Sequence, residues 1–201
     1  MASPAADRYK GLNPVERLCR YRPAVTASNQ RPLLFLDVDG PLIPFGATPG
    51  PYPTYRAGSS PRADENPLLS RIDPRHGKRL MALKCELVWA TSWMDDANDY
   101  IAPCLGLAQL AIVAWPDAPA TEEQDERDGL HWKTRTLVAS AGGRPFVWLD
   151  DEITDKDRAW VSAHHPGPAL LHRVNPKSGL TQVDYRAVEE WLAQVCSPCS
   201  R

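Results

Sequence analysis

The sequence predicts a single doubly wound α/β domain. Five short apolar runs recur along the chain, and the segments between them carry helix caps and amphipathic spacing. Strands that alternate with helices imply a five-stranded, mainly parallel sheet covered on both faces. Of 201 residues, 43% are hydrophobic and 24% charged, an ordinary globular balance with enough chain for one substantial core.

Residues 1–30 are polar and irregular, with at most a short helix from Pro14 to Arg20, and read as an extension preceding a domain of residues 31–195. Leu33–Leu36 is the first strand, four bulky apolar residues that stop abruptly at Asp37-Val38-Asp39-Gly40. Pro44–Pro67 follows, rich in Pro, Gly and Ser and carrying Tyr52, Tyr55, Arg56 and Arg62. Its position predicts a flap, spanning 44–69, over the end of that strand. Asp73-Pro74 is an N-cap with Pro at the first helical position and opens a helix towards Leu83. Leu87–Ala90 and Ala111–Ala114 are the second and third strands. Pro116–Gly129 contains the acidic run Glu122 to Asp128 and reads as a solvated linker.

Trp132–Ala141 is expected as a helix ended by Gly142-Gly143, and Phe146–Leu149 as the fourth strand. Thr154 caps a helix through Trp160, and Ala169–Leu171 is the fifth strand. Thr181 caps a last helix with Val188, Trp191, Leu192 and Val195 on one face, leaving 196–201 as a tail. No run approaches membrane-spanning length, and the polar N-terminus lacks a signal-peptide core, so a cytoplasmic location is expected. The net charge of −2 argues against general nucleic-acid affinity while allowing a local basic groove. Five cysteines include one lone pair, Cys196-Ser-Pro-Cys199, which is half a zinc site, a redox tail or, more simply, free thiols.

In open α/β sheets ligands bind beyond the carboxyl ends of the strands. Those ends carry Asp37 and Asp39, then Thr91 and Ser92, then Asp150 and Asp151, with Lys133 opening the helix before the fourth strand. Paired carboxylates repel and are costly to desolvate unless a cation compensates. Converging with a hydroxyl and a lysine, they make a site for Mg²⁺ and a phosphoryl group. Asp37, Asp150 and Asp151 are hard oxygen ligands suited to Mg²⁺. Asp150 is favoured for direct contact, with Asp151 holding a metal-bound water or orienting Lys133. Ser92 competes with Thr91 for the phosphate, and Arg135 with Lys133; Asp155 reads as a helix-capping acid. Trp89, Trp148 and Trp160 read as packing, whereas Trp93 is placed to wall the pocket and Asn98 to orient a loop. His131, His164, His165 and His172 show no ligand spacing that competes with the carboxylates.

This ordered set resembles the haloacid dehalogenase-like (HAD) phosphatase superfamily. Asp37-Val38-Asp39-Gly40 matches its first motif, Thr91 its second, Lys133 its third and Asp150-Asp151 its fourth, over roughly residues 31 to 175. The resemblance implies a sheet in the order 5-4-1-2-3 and an aspartyl-phosphate formed on Asp37. It implies Asp39 as general acid and base, with its backbone carbonyl on Mg²⁺, and Thr91, Gly40 and Lys133 around the phosphate. The Leu42–Asp73 insertion is too short and Pro-rich for a helical cap, so an uncapped core open to large substrates is expected. The pattern is particularly similar to small bacterial HAD domains associated with nucleic-acid repair proteins. A nucleic-acid end held by Arg56, Arg62 and Arg71 is one narrower substrate reading. The rival class is a phosphoacceptor signalling module, which uses the same residue types in another chain order and has no acid two residues after the phosphorylated Asp. A third reading is a metal-binding domain without turnover.

Overall fold

The computed structural model describes residues 31–46, 51–55, 66–116 and 122–196. The expected helix at 14–20, Arg56, Arg62 and Cys199 lie outside them. Strands β1 (Leu33–Leu36), β2 (Glu86–Trp89), β3 (Ala111–Ile112), β4 (Phe146–Asp150) and β5 (Ala169–Arg173) form one parallel sheet in the order β3-β2-β1-β4-β5. Read from the other edge, this is the expected 5-4-1-2-3. Central β1 sets Leu36 opposite Trp89 of β2 and Leu149 of β4. Three strand ends therefore finish level, and the residues just beyond them share one edge.

Six helices follow in chain order among the described residues: α1 (Arg75–Ala82), α2 (Ala102–Leu105), α3 (Glu122–Asp128), α4 (Thr134–Ala141), α5 (Asp155–His164) and α6 (Gln182–Cys196). The two-residue period of a strand sends alternate side chains to opposite faces. Leu34 and Leu36 join Leu80 of α1, Leu105 of α2 and Val188 and Leu192 of α6 in one core. Leu33 and Phe35 join Leu137 of α4 and Val161 of α5 in the other. All four β1 side chains are 4% exposed or less, so both faces are covered, as a parallel sheet requires. Burying each such side chain contributes about 1.5–3 kcal/mol. None of the helices is long and apolar enough to cross a membrane.

Several boundaries differ from the sequence reading. Edge strand β3 is only two residues long, pairing on one side, although Val113 N–H still donates to the Trp89 carbonyl. Glu122–Asp128 is a helix rather than a linker. Its residues are mostly good helix formers, Asp125 is tied to Arg135 at 2.6 Å, and Gly129 ends it at φ +65°. Helix α4 starts at Thr134, two residues late, because the Lys133 amide donates to His131 Nδ1 instead. Before α2 the backbone forms a π turn over Ala97–Ile101, in which Ala102 N–H reaches back to Ala97. Pro103 has no N–H to continue an ordinary ladder. Asn98 braces this turn with three bonds, accepting from Trp89 Nε1 and Leu110 N–H and donating to the Leu110 carbonyl.

Candidate active site

The first strand delivers Asp37 to the sheet edge, where its amide donates to the Leu149 carbonyl and its Oδ1 accepts Val38 N–H. The chain then turns tightly: Leu42 and Ile43 amides both reach the Val38 carbonyl, and Gly40 N–H reaches Ile43. Gly40 has φ +80°, and a methyl group there would run into the Asp151 carboxylate. Glycine is thus required both for the turn and for the close approach of the fourth strand's acids.

Lys133 is the centre of the cluster. Its ammonium lies 2.9 Å from Asp37 Oδ2 and 2.8 Å from Asp150 Oδ2, and it is 4% exposed. Arg135, the competing cation, pairs instead with Asp125. Asp150 is fully buried: Oδ2 also accepts Trp148 Nε1, and Oδ1 accepts Glu152 N–H. Asp150, rather than Asp151, thus holds the lysine, while the Asp151 carboxylate lies against Gly40. Thr91 is buried and Ser92 exposed; Thr91 Oγ1 accepts Trp93 N–H at 3.3 Å. Asp39 is half-buried, and its Oδ2 accepts Trp93 Nε1 at 2.9 Å. Asp155 is fully exposed and pairs with Arg158, in keeping with a helix-end acid.

The electrostatics follow from this crowding. Burial lifts the Asp37 carboxyl to about 7 against the pull of Lys133, and the neighbouring Asp150 charge adds to the rise. Burial and Asp150 likewise raise Asp151 to about 6. Burial opposes the Lys133 charge, but Asp37 and Asp150 outweigh it and raise the lysine above 10.5. Carboxylate oxygens of Asp37, Asp150 and Asp151 all lie within 4.8 Å of one another. When all three carboxylates are ionised, one ammonium leaves two negative charges uncompensated, and the donors are hard oxygens. That donor set fits a divalent cation of the Mg²⁺ type.

Two supporting groups escape the sequence reading. The Lys133 amide can only donate, so His131 Nδ1 accepts it and Nε2–H donates to Glu152 at 3.0 Å. Asp157 is fully buried and accepts four bonds: His131 N–H (2.8 Å) and Thr134 Oγ1 (2.6 Å) on Oδ1, Thr154 N–H (2.8 Å) and Thr154 Oγ1 (2.6 Å) on Oδ2. It ties the Lys133 turn to the start of α5, just after Asp150-Asp151. The signal was the Thr154-x-x-Asp157 spacing of a capping box.

The flap region is described in part. Tyr55 N–H donates to the Ser70 carbonyl, and Arg71 donates to the Pro44 carbonyl while lying 4.8 Å from the Tyr52 ring centre. Arg71 therefore fastens the loop, in place of the backbone-binding role expected of it. A cavity of about 230 Å³ opens between this segment, Pro41 and Lys177–Leu180.

Neither a curated protein nor a solved structure matches this chain. The model of one family does, over residues 33–185, which takes in the whole sheet and every group of the cluster. The chain belongs to that family, the HAD domain in Swiss Army Knife RNA repair proteins.

Proposed function

We propose that this chain is a Mg²⁺-dependent phosphomonoesterase of the HAD type that works through an aspartyl-phosphate on Asp37. The observation that carries the reading is Lys133 bridging Asp37 and Asp150, with Asp151 beside them at the ends of β1 and β4. Asp37, Asp150 and Asp151 would hold the metal, with the Asp39 carbonyl as the resemblance implies. Bound there, Mg²⁺ supplies positive charge that eases the approach of a carboxylate to an anionic phosphate.

Asp37 attacks phosphorus in line with the leaving oxygen, whose bond to phosphorus breaks as the aspartyl-phosphate forms. Asp39 protonates that oxygen, then takes a proton from the water that hydrolyses the acyl phosphate; such acid–base help is worth ~10²–10⁴-fold. The Trp93 indole N–H donates to Asp39 Oδ2, which orients the carboxyl group and leaves Oδ1 for the proton. Lys133 balances charge on the equatorial oxygens, and the Thr91 hydroxyl donates to one of them. Residues 31–195 form the catalytic unit, with 44–69 as flap and 1–30 and 196–201 flanking it. The family's association with RNA repair makes a phosphorylated nucleic-acid end the substrate we favour.

The test is hydrolysis of a generic aryl phosphate by wild type, with Mg²⁺ or EDTA, and by Asp37→Asn and Asp39→Asn. Turnover should require the metal, vanish in Asp37→Asn and drop ~10²–10⁴-fold in Asp39→Asn. Activity that survives both EDTA and Asp37→Asn overturns the mechanism. A stoichiometric, long-lived phosphoprotein without turnover assigns the chain to the phosphoacceptor class instead.

A further inference from the structure

The tryptophans of the sheet, Trp89 and Trp148, are fully buried, but Trp132 is 46% exposed although it directly precedes the buried Lys133. Its ring is held on two sides. Trp115 meets it edge-on at 4.7 Å between centres, and His131 stacks on it at 5.7 Å. Trp115 is itself fixed by donating Nε1–H to the Thr91 carbonyl. Lys133 Nζ lies 5.4 Å from the Trp132 ring centre and 2.9 Å from Asp37 Oδ2. An immobilised, solvent-facing indole thus stands one lysine head-group away from the attacking carboxylate.

We propose that Trp132 is a stacking platform for the nucleobase of the residue bearing the phosphate. This rests on the phosphatase reading above and adds a base-contacting residue to the same site. A held ring that is 46% exposed offers area on which any base can stack, because every base presents a π-face. The lysine standing between ring and carboxylate sets the offset. In an aryl phosphate the ring joins the phosphoryl oxygen directly, whereas a nucleotide interposes a sugar, which sets its base further from a phosphate held at Asp37. Recognition of this kind is independent of base identity, which suits a repair substrate with an arbitrary terminal sequence.

The experiment compares two terminally phosphorylated oligoribonucleotides, one intact and one abasic at the phosphorylated residue, with phosphate at the 5′ end in one set and the 3′ end in another. Wild type should favour the intact end by about tenfold in kcat/KM for at least one polarity, through KM. Trp132→Ala should abolish that preference and Trp132→Phe should keep most of it. Equal use of intact and abasic ends by wild type at both polarities, or a preference that survives Trp132→Ala, overturns the proposal. Binding of the same oligonucleotides to Asp37→Asn, followed by fluorescence anisotropy with and without Trp132→Ala, decides the question even if no phosphate is turned over. A base-dependent affinity lost in Trp132→Ala then upholds the platform while the phosphatase reading falls, and equal affinities for intact and abasic ends reject the platform.

Discussion

Replacing Asp157 should damage this protein more than any change of similar size on its surface. The carboxylate is fully buried and accepts four bonds of 2.6–2.8 Å from three residues of two segments. In Asp157→Ala the two hydroxyls can rotate to other acceptors, but the amides of His131 and Thr154 cannot. His131 is half-buried and Thr154 exposed, so each stranded amide costs about 1 kcal/mol, and the lost side-chain volume adds to it. The expected loss is about 2–4 kcal/mol, or roughly 5–10 °C in melting temperature for a chain of this size. Asp157→Asn retains one acceptor oxygen and turns an amide group towards donors, so about 2 kcal/mol is expected.

The pH dependence gives an independent check on the same carboxylate. Burial opposes its charge, but the bonds from Thr134, Thr154 and His131 outweigh that and hold its pKa below 3.8. Its contribution is therefore complete above the unfolded value and lost as pH falls through the lowered folded value. Urea melts of wild type and Asp157→Asn at pH 7 and across the acid range read this directly. A gap under about 0.5 kcal/mol at pH 7, or one that persists unchanged in acid, refutes the assignment. Where both variants remain folded, kcat should fall about tenfold in Asp157→Asn, because the Lys133 turn has lost its anchor.

Other expectations concern the cluster itself. Lys133→Met leaves Asp37 and Asp150 facing each other without their ammonium; stability measured in EDTA should drop by about 3–5 kcal/mol and aryl phosphate turnover by at least about 10²-fold. Gly40→Ala forces a left-handed backbone on a side chain that meets Asp151, so a stability loss of about 1–2 kcal/mol and a higher Mg²⁺ requirement should appear in melts and metal titrations. Trp93→Phe removes the donor to Asp39 Oδ2 while keeping an aromatic ring, and should lower kcat about fivefold with little change in KM.

Much of the sheet was readable because its signals are local. Leu33–Leu36 and the run at 146 are dense apolar stretches, and dense burial on both faces is what a central parallel strand demands, whereas the run at 169 forms the half-buried edge strand β5. The acidic run at 122–128 misled because its charge pattern suits a solvated linker equally well; the pairing of Asp125 with Arg135 fixes it as a helix against the domain. Arg71 looked available for ligand, yet the fold uses it to close a loop on Pro44. Asp37, Asp150 and Asp151 were nameable in advance because they directly follow or end apolar strand runs, and Lys133 because it opens the helix before the fourth strand.

The sequence by itself determined the alternation of strands and helices, the acids at the strand ends and the family they suggest, since each is written in consecutive residues. Tertiary structure alone decided which carboxylate holds Lys133, that Asp157 and His131 fix its turn, and that Trp132 stays exposed beside it. The two ion pairs of the lysine join residues 17 and 96 positions apart, Lys133 with Asp150 and with Asp37. No local pattern encodes them: they exist only once β1 and β4 pair side by side and bring their ends level.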